Sequence, residues 1–351
     1  MSNNINQQNL LPYPWLQTDW QKLTEYQQSQ KIPHAIILTG KKGLAKRELA
    51  SLWVKSLLCD SNSPEKNYSS TLFPCQNCDS CLLFDAKTHP DYLLIEPEEV
   101  AKVIKVDQIR EVVNFVSLTR SRGQYRIILI SPAENMNSNA ANSLLKTLEE
   151  PAANTKLILT SSNIQQLPAT IRSRCQLFPV TPPKSDELEQ YLVESQQISA
   201  DEMRIALSIS ENSPVDAEFY VNSSVTSLNN DLLNDWQSLA DGSVNPSKIA
   251  EKWLKQSTNI PLKLVYTWIV DMIRYQSIRA QAADNNYHTG HFYQGNNKTL
   301  ESLALKIPVK RLFSLYDKAV ELIKLERSSL NKQIQLESLL IQWSLVAQSS
   351  K

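Results

Sequence analysis

Glycine is nearly missing from this sequence, with six residues in 351. Four of the six lie in two short stretches, Gly40 with Gly43 and Gly290 with Gly295. A chain so poor in the residue that loosens the backbone, and rich in Leu, Gln, Lys and Glu, is expected to be largely helical. It has no surplus of either charge, with 36 basic residues against 36 acidic. A dedicated nucleic-acid binder carries a basic excess, so any DNA contact here must be local. No apolar run approaches the roughly 20 residues that a membrane-spanning helix needs. The first residues, Met1 to Gln8, are polar. Neither secretion nor a membrane span is expected, and the chain reads as cytoplasmic.

What is there is the profile of a packed globular protein, long enough for two or three domains. Between 35 and 180, short apolar runs alternate with helical patterns. Ala35-Ile36-Ile37-Leu38-Thr39 precedes a helical stretch at 44–58, and Tyr92-Leu93-Leu94-Ile95 precedes Val106, Ile109, Val112, Val113 and Val116. Arg126-Ile127-Ile128-Leu129-Ile130 leads to Ala141, Leu144, Leu145 and Leu148, a helix that must stop at Pro151. Lys156 to Thr160 then leads to a short helix before Arg172. Strands apolar throughout, separated by helices, predict an α/β domain with a parallel sheet covered on both faces.

After Pro182-Pro183 the strand signals end. Residues 181–224 read as a small helical domain and 225–351 as a second helical domain, with amphipathic runs near 247–282, 309–326 and 332–347. Asn222 to Asn230, rich in Ser and Asn, reads as a linker. Asp284 to Lys298 reads as a polar loop. Its histidines, His288 and His291, have no cysteine beside them and are not taken as metal ligands.

Five cysteines is an odd number, and four fall between Cys59 and Cys81. Cys75-Gln-Asn-Cys78-Asp-Ser-Cys81 lets tight turns aim successive thiolates at one point, with Cys59 at the end of the preceding helix. Four such ligands point to a closed, structural zinc site rather than to disulfides. Cys175, far away in sequence, is expected to be a buried core thiol.

The first strand runs into Gly40-Lys41-Lys42-Gly43-Leu44-Ala45-Lys46-Arg47. A working phosphate-binding loop reads G-x-x-x-x-G-K-[ST], with backbone N–H groups around the phosphates, Lys on β and γ, and a hydroxyl on Mg²⁺. Gly40 and Lys46 keep that separation. Ala45 stands where the second glycine belongs, and Arg47 puts a cation where Mg²⁺ needs an oxygen. The strand that should end in Mg²⁺-holding acids is followed by Ser131-Pro132, with Glu134 too late to replace them. The remnant formed by Gly40, Gly43 and Lys46 is therefore expected to be inactive, with neither ATP binding nor hydrolysis.

Asn142-Ser-Leu-Leu-Lys-Thr-Leu-Glu-Glu-Pro151 and Leu167-Pro-Ala-Thr-Ile-Arg-Ser-Arg-Cys175 closely resemble the clamp-loader subunits of bacterial DNA polymerase III, of the AAA+ superfamily. Tyr13-Pro14-Trp15-Leu16 and Thr88-His89-Pro90-Asp91-Tyr92 look like the delta-prime members of that family, and the match is strong over residues 12–180. The resemblance implies an AAA+ domain over 1–180 carrying a zinc module at 59–81, a helical lid over 181–224 and an oligomerising collar over 225–351. It also implies a hetero-pentameric ring with gamma/tau ATPase and delta subunits, which loads a sliding clamp onto primer-template DNA. In that family the arginine of Ser-Arg-Cys reaches a neighbour's ATP γ-phosphate, which carries over to Arg174, with Ser173 orienting the loop and Cys175 packed behind it. Thr160 matches a phosphate-sensing position that would be vestigial here.

Two other readings compete. An active clamp-loader ATPase of the gamma/tau type would need the Mg²⁺ positions that Arg47 and Ser131-Pro132 have replaced. A zinc-dependent DNA-binding protein would need Lys/Arg clusters beside the cysteines. Taken alone, Arg172 and Arg174 would simply solvate a helix end.

Overall fold

The structure, a computed structural model, describes residues 10–62, 72–98, 103–119, 121–122, 124–210, 213–223, 225–255, 260–282, 298–325 and 332–349. Two compact units divide the chain, Met1–Glu187 and Leu188–Lys351. Among the described residues no helix is long and apolar enough to cross a membrane.

In the first unit the elements run α1 (Gln17–Gln28), β1 (Ala35–Thr39), α2 (Lys46–Leu58), α3 (Asp79–Asp85), β2 (Tyr92–Ile95), α4 (Val106–Ser117), β3 (Arg126–Ile130), α5 (Ser138–Glu149), β4 (Thr155–Ser161), α6 (Ala169–Arg172) and β5 (Gln176–Pro179). The sheet has the order β2-β3-β4-β1-β5, and every pairing is parallel. Alternate residues along a strand face opposite sides. Ile37, Ile128, Ile130, Leu157 and Leu159 share one core with Ile109 and Val112 of α4 and Ala141, Leu144 and Leu148 of α5. The intervening Ile36, Leu38, Ile127, Leu129 and Ile158 are buried as well, on the side where α2 lies against β1, β3 and β4. Burial on both faces explains why these strands are continuously apolar rather than alternating.

Local chemistry sets the helix ends. Asn137 caps α5, its side chain accepting from the Ala140 N–H at 2.8 Å. Pro151 excludes the α conformation from the residue before it, and Glu150 has left the helix at φ −124° and ψ 67°. Asp19, fully buried on α1, accepts from the Thr181 N–H at 2.7 Å and so ties α1 to the segment after β5.

The strand β5 was not foreseen. Only Phe178 of its four residues is buried, so neither an apolar run nor a clean alternation marks this sheet edge. Its pairing with β1 makes it a strand.

The helix α7 (Ser185–Gln196) runs across the division at 187–188, and the rest of the second unit is helical among the described residues: α8 (Ala200–Ile209), α9 (Pro214–Asn222), α10 (Val225–Asp241), α11 (Pro246–Leu254), α12 (Ile260–Ala282), α13 (Lys298–Lys306), α14 (Val309–Leu325) and α15 (Lys332–Gln348). The expected linker at 222–230 is a correction. Asn222 closes α9, and α10 occupies 225–241. Its polar start is satisfied by tertiary contact, because buried Asn229 accepts from the Trp268 indole N–H at 3.1 Å. Within this unit α8 packs against α9, α10 and α12. Trp236 and Trp343 stack with centroids 4.0 Å apart, and the Trp343 indole donates to the Trp236 carbonyl at 2.9 Å. The expected loop 284–298 lies outside the described residues except for Lys298, so His288 and His291 have no structural account.

Candidate functional site

The degenerate loop is folded onto itself. Ala45 sits in the left-handed region at φ 56°, which glycine enters freely and a Cβ strains. Position 45 thus has a backbone conformation that glycine would suit better than the alanine it carries. Lys46, 7% exposed, donates to the carbonyls of Gly40 at 2.9 Å and Lys41 at 2.6 Å. The ammonium that would reach a phosphate instead closes its own loop, and burial pulls it down to about 8. The nearby Glu134 carboxylate works against that fall. Arg47 forms an ion pair with Glu96 at 2.6 Å, so its cation is compensated within the chain. Ser131, in place of an acid, shares a hydrogen bond of 2.7 Å with Thr160. Glu134 comes back toward the loop in space, where it accepts from the Ser162 N–H at 2.8 Å.

The four cysteines are brought together. Cys59 follows α2, Cys75 and Cys78 lie in the turn before α3, and Cys81 lies in the first turn of α3. Their sulfurs all lie within 4.8 Å of one another, and those of Cys59 and Cys78 are 3.9 Å apart. A tetrahedron with metal–sulfur bonds of about 2.3 Å has edges of about 3.8 Å, so the donor set fits a metal. Backbone N–H groups of Cys75, Cys78 and Cys81 point at the sulfurs of Cys59, Cys75 and Cys78, at 3.3 to 3.4 Å. Such donors favour the thiolate form that a metal needs. The hydrogen bond between Cys59 and Cys81 holds the Cys59 thiol down at about 4 and pushes that of Cys81 up.

Polar contacts that the sequence did not reveal brace this module. Buried Lys55 on α2 forms an ion pair with Asp85 of α3 at 2.7 Å. Ser80 donates to Asp60 at 2.7 Å, and Asn62 donates to the carbonyls of Leu72 and Phe73 at 3.1 and 3.3 Å. Trp20 of α1 stacks on Phe73 with centroids 4.8 Å apart.

Arg174 follows the short helix α6 at the protein surface, with its side chain 36% exposed. It donates to the Thr170 carbonyl at 3.0 Å and forms an ion pair with Glu149 at 2.7 Å. Ser173 also bonds the Thr170 carbonyl, at 3.1 Å, and lies 3.4 Å from the guanidinium. Cys175 is 9% exposed within the main core, where burial pushes its thiol up to about 12. It is the core thiol that its isolation in sequence suggested.

Comparison with known proteins places this geometry in a lineage. The family described as DNA polymerase III, delta subunit, matches residues 16–184, and the C-terminal family of the same subunit matches residues 227–344. A DNA polymerase III subunit delta' from Pseudomonas aeruginosa is 33% identical over 340 residues, covering 95% of this chain and 97% of that relative. The subunit delta' of Escherichia coli is 33% identical over 202 residues, 58% of each chain. A DNA polymerase III subunit gamma from Buchnera aphidicola is 32% identical over 162 residues, 46% of this chain and 42% of that relative.

Proposed function

This chain belongs to the delta' family of DNA polymerase III, and on that premise we propose that it is the non-hydrolysing subunit of a clamp-loading ring that supplies Arg174 to a neighbouring ATPase. Its likeness to delta' and gamma subunits of DNA polymerase III supports a clamp-loader complex with gamma/tau ATPases. The finer assignments are our proposal: a pentameric ring with delta, loading of a sliding clamp onto primer-template DNA, a lid over 181–224 and a collar over 225–351.

One observation carries the division of labour. Lys46 bonds the carbonyls of its own loop and Arg47 pairs with Glu96, so both cations at the phosphate position are engaged within the chain. Arg174 is paired too, with Glu149, but it follows the short helix α6 at the surface and lies outside that loop. An arginine supplied in trans neutralises the charge that develops on a transferring phosphoryl group, and its planar fork matches phosphate better than lysine does. The chain would then act on ATP held by its neighbour while holding none itself. Zinc bound by Cys59, Cys75, Cys78 and Cys81 would brace the first unit, since four thiolates leave no position open for catalysis.

The test is a reconstituted ring carrying wild type, Arg174→Ala or Arg174→Lys, checked for equal assembly. Loss of the arginine should slow the neighbouring site by roughly 10³-fold or more, and Arg174→Lys should recover little. Because one site among several is affected, total ATPase should fall in part, with clamp loading falling alongside. Equal ATPase in all three rings would refute the reading.

A further inference from the structure

Glu149 pairs with Arg174 at 2.7 Å, although nothing in the proposed reaction so far uses it. It is the last residue of α5, where the carbonyl ends of the helix leave partial negative charge and a carboxylate is disfavoured. Lys146 is the basic residue in that last turn, but it is the guanidinium of Arg174 that meets the carboxylate. Glu149 therefore sits at a poor place for helix stability and a good one for gripping Arg174.

We propose that Glu149 is a positioning residue for the trans-acting arginine: with the Thr170 carbonyl it fixes the plane of the Arg174 guanidinium, leaving the remaining N–H groups for a neighbour's phosphate. The geometry supports this. An arginine presents five N–H donors in one rigid plane. One terminal nitrogen of Arg174 is held by Glu149 at 2.7 Å and the other by Thr170 at 3.0 Å. Two anchors from different elements, the ends of α5 and of α6, remove the rotation that a long side chain on a surface would otherwise keep. The pair is partly exposed, 36% for Arg174 and 50% for Glu149, so it contributes little to folding. Its effect falls on the pose of the arginine. A prepositioned charge stabilises a transition state without reorganisation at the moment of reaction.

This inference rests on the proposed role of Arg174, and the experiment separates the two. Full rings are assembled with wild type, Glu149→Gln, Glu149→Asp, Arg174→Ala and the Glu149→Gln/Arg174→Ala double variant, and kcat and KM for ATP are measured for each. Glu149→Gln should remove at least half of the kcat that Arg174→Ala removes, with KM unchanged, and Glu149→Asp should restore part of it. In the Arg174→Ala background the glutamine change should do nothing more. Thermal unfolding of Glu149→Gln should not fall, because a carboxylate leaves the negative end of a helix. If Arg174→Ala lowers kcat while Glu149→Gln leaves it at wild type or raises it, the positioning role is wrong and the arginine's role stands. An effect of Glu149→Gln that persists without Arg174 also overturns it. No effect of Arg174→Ala removes the premise, and the inference with it.

Discussion

Asp271 on α12 is 8% exposed, and burial lifts its carboxyl from 3.8 to about 6 even though Arg274 pulls the other way. An acid raised in the folded state binds its proton more tightly there than in the unfolded chain. Below about pH 4 both states are protonated and the residue costs nothing. As pH rises from about 4 to about 6 the unfolded chain gains by ionising, and folding stability is lost. Above that range the loss is complete, on the order of 3 kcal/mol for a shift of about two units. Asp271→Asn should therefore stabilise the chain at pH 7 by about that amount and match wild type near pH 4. Urea unfolding at the two pH values decides it, and equal stabilities at pH 7 would show that Asp271 is solvated as an ordinary surface acid. Such residues are invisible in sequence. Asp271, buried Lys55 with its partner Asp85, and Glu149 all look like ordinary charged residues until distant segments are brought together. Cys59, Cys75, Cys78 and Cys81 were legible because their spacing itself expresses the geometry of one point.

Elements were legible where one periodicity dominated. The strands β1 and β3 fall where their apolar runs do, since burial on both faces leaves an unbroken hydrophobic signature; β2 falls on its apolar run too, although only Ile95 of it is fully buried. The edge strand β5 and the polar start of α10 were not, because a neighbour supplies what their own residues lack: β1 for the former, Trp268 for the latter. The cysteine module combines both cases, with ligands set by local spacing and bracing by long-range contacts. We expect purified protein to carry about one zinc. Structural zinc contributes on the order of 10 kcal/mol of apparent folding free energy, so chelation should release a large local constraint. Amide exchange after chelation should speed up over Cys59 to Cys81, while β1, β3 and β4, with cores of their own, stay protected. Freshly purified protein without zinc on metal analysis would reject this. Cys175→Ser should leave the metal content unchanged, since that thiol lies in the core rather than among the ligands.

At the scale of the whole molecule, the proposed role sets a loop closed on itself apart from an arginine at the surface. The loop retains the left-handed residue at 45 and the lysine at 46, and the ammonium of that lysine meets the carbonyls of Gly40 and Lys41. This gives two kinds of variant with opposite expectations. Lys46→Met removes a donor from two loop carbonyls and a buried charge held down at about 8. These changes act on local stability, by amounts that partly cancel, and leave the surface around Arg174 as it was. Rings containing Lys46→Met, assayed well below their unfolding temperature, should therefore hydrolyse ATP and load clamps like wild type, whereas Arg174→Ala rings should not. The isolated chain should turn over no ATP with either residue at 46. The measurement is steady-state ATPase of matched rings and of the isolated chain, with a nucleotide-binding titration of the chain alone. Turnover by the isolated chain that Lys46→Met abolishes would mean that the loop opens to accept ATP, and the proposed separation between a silent loop and an active arginine would fail.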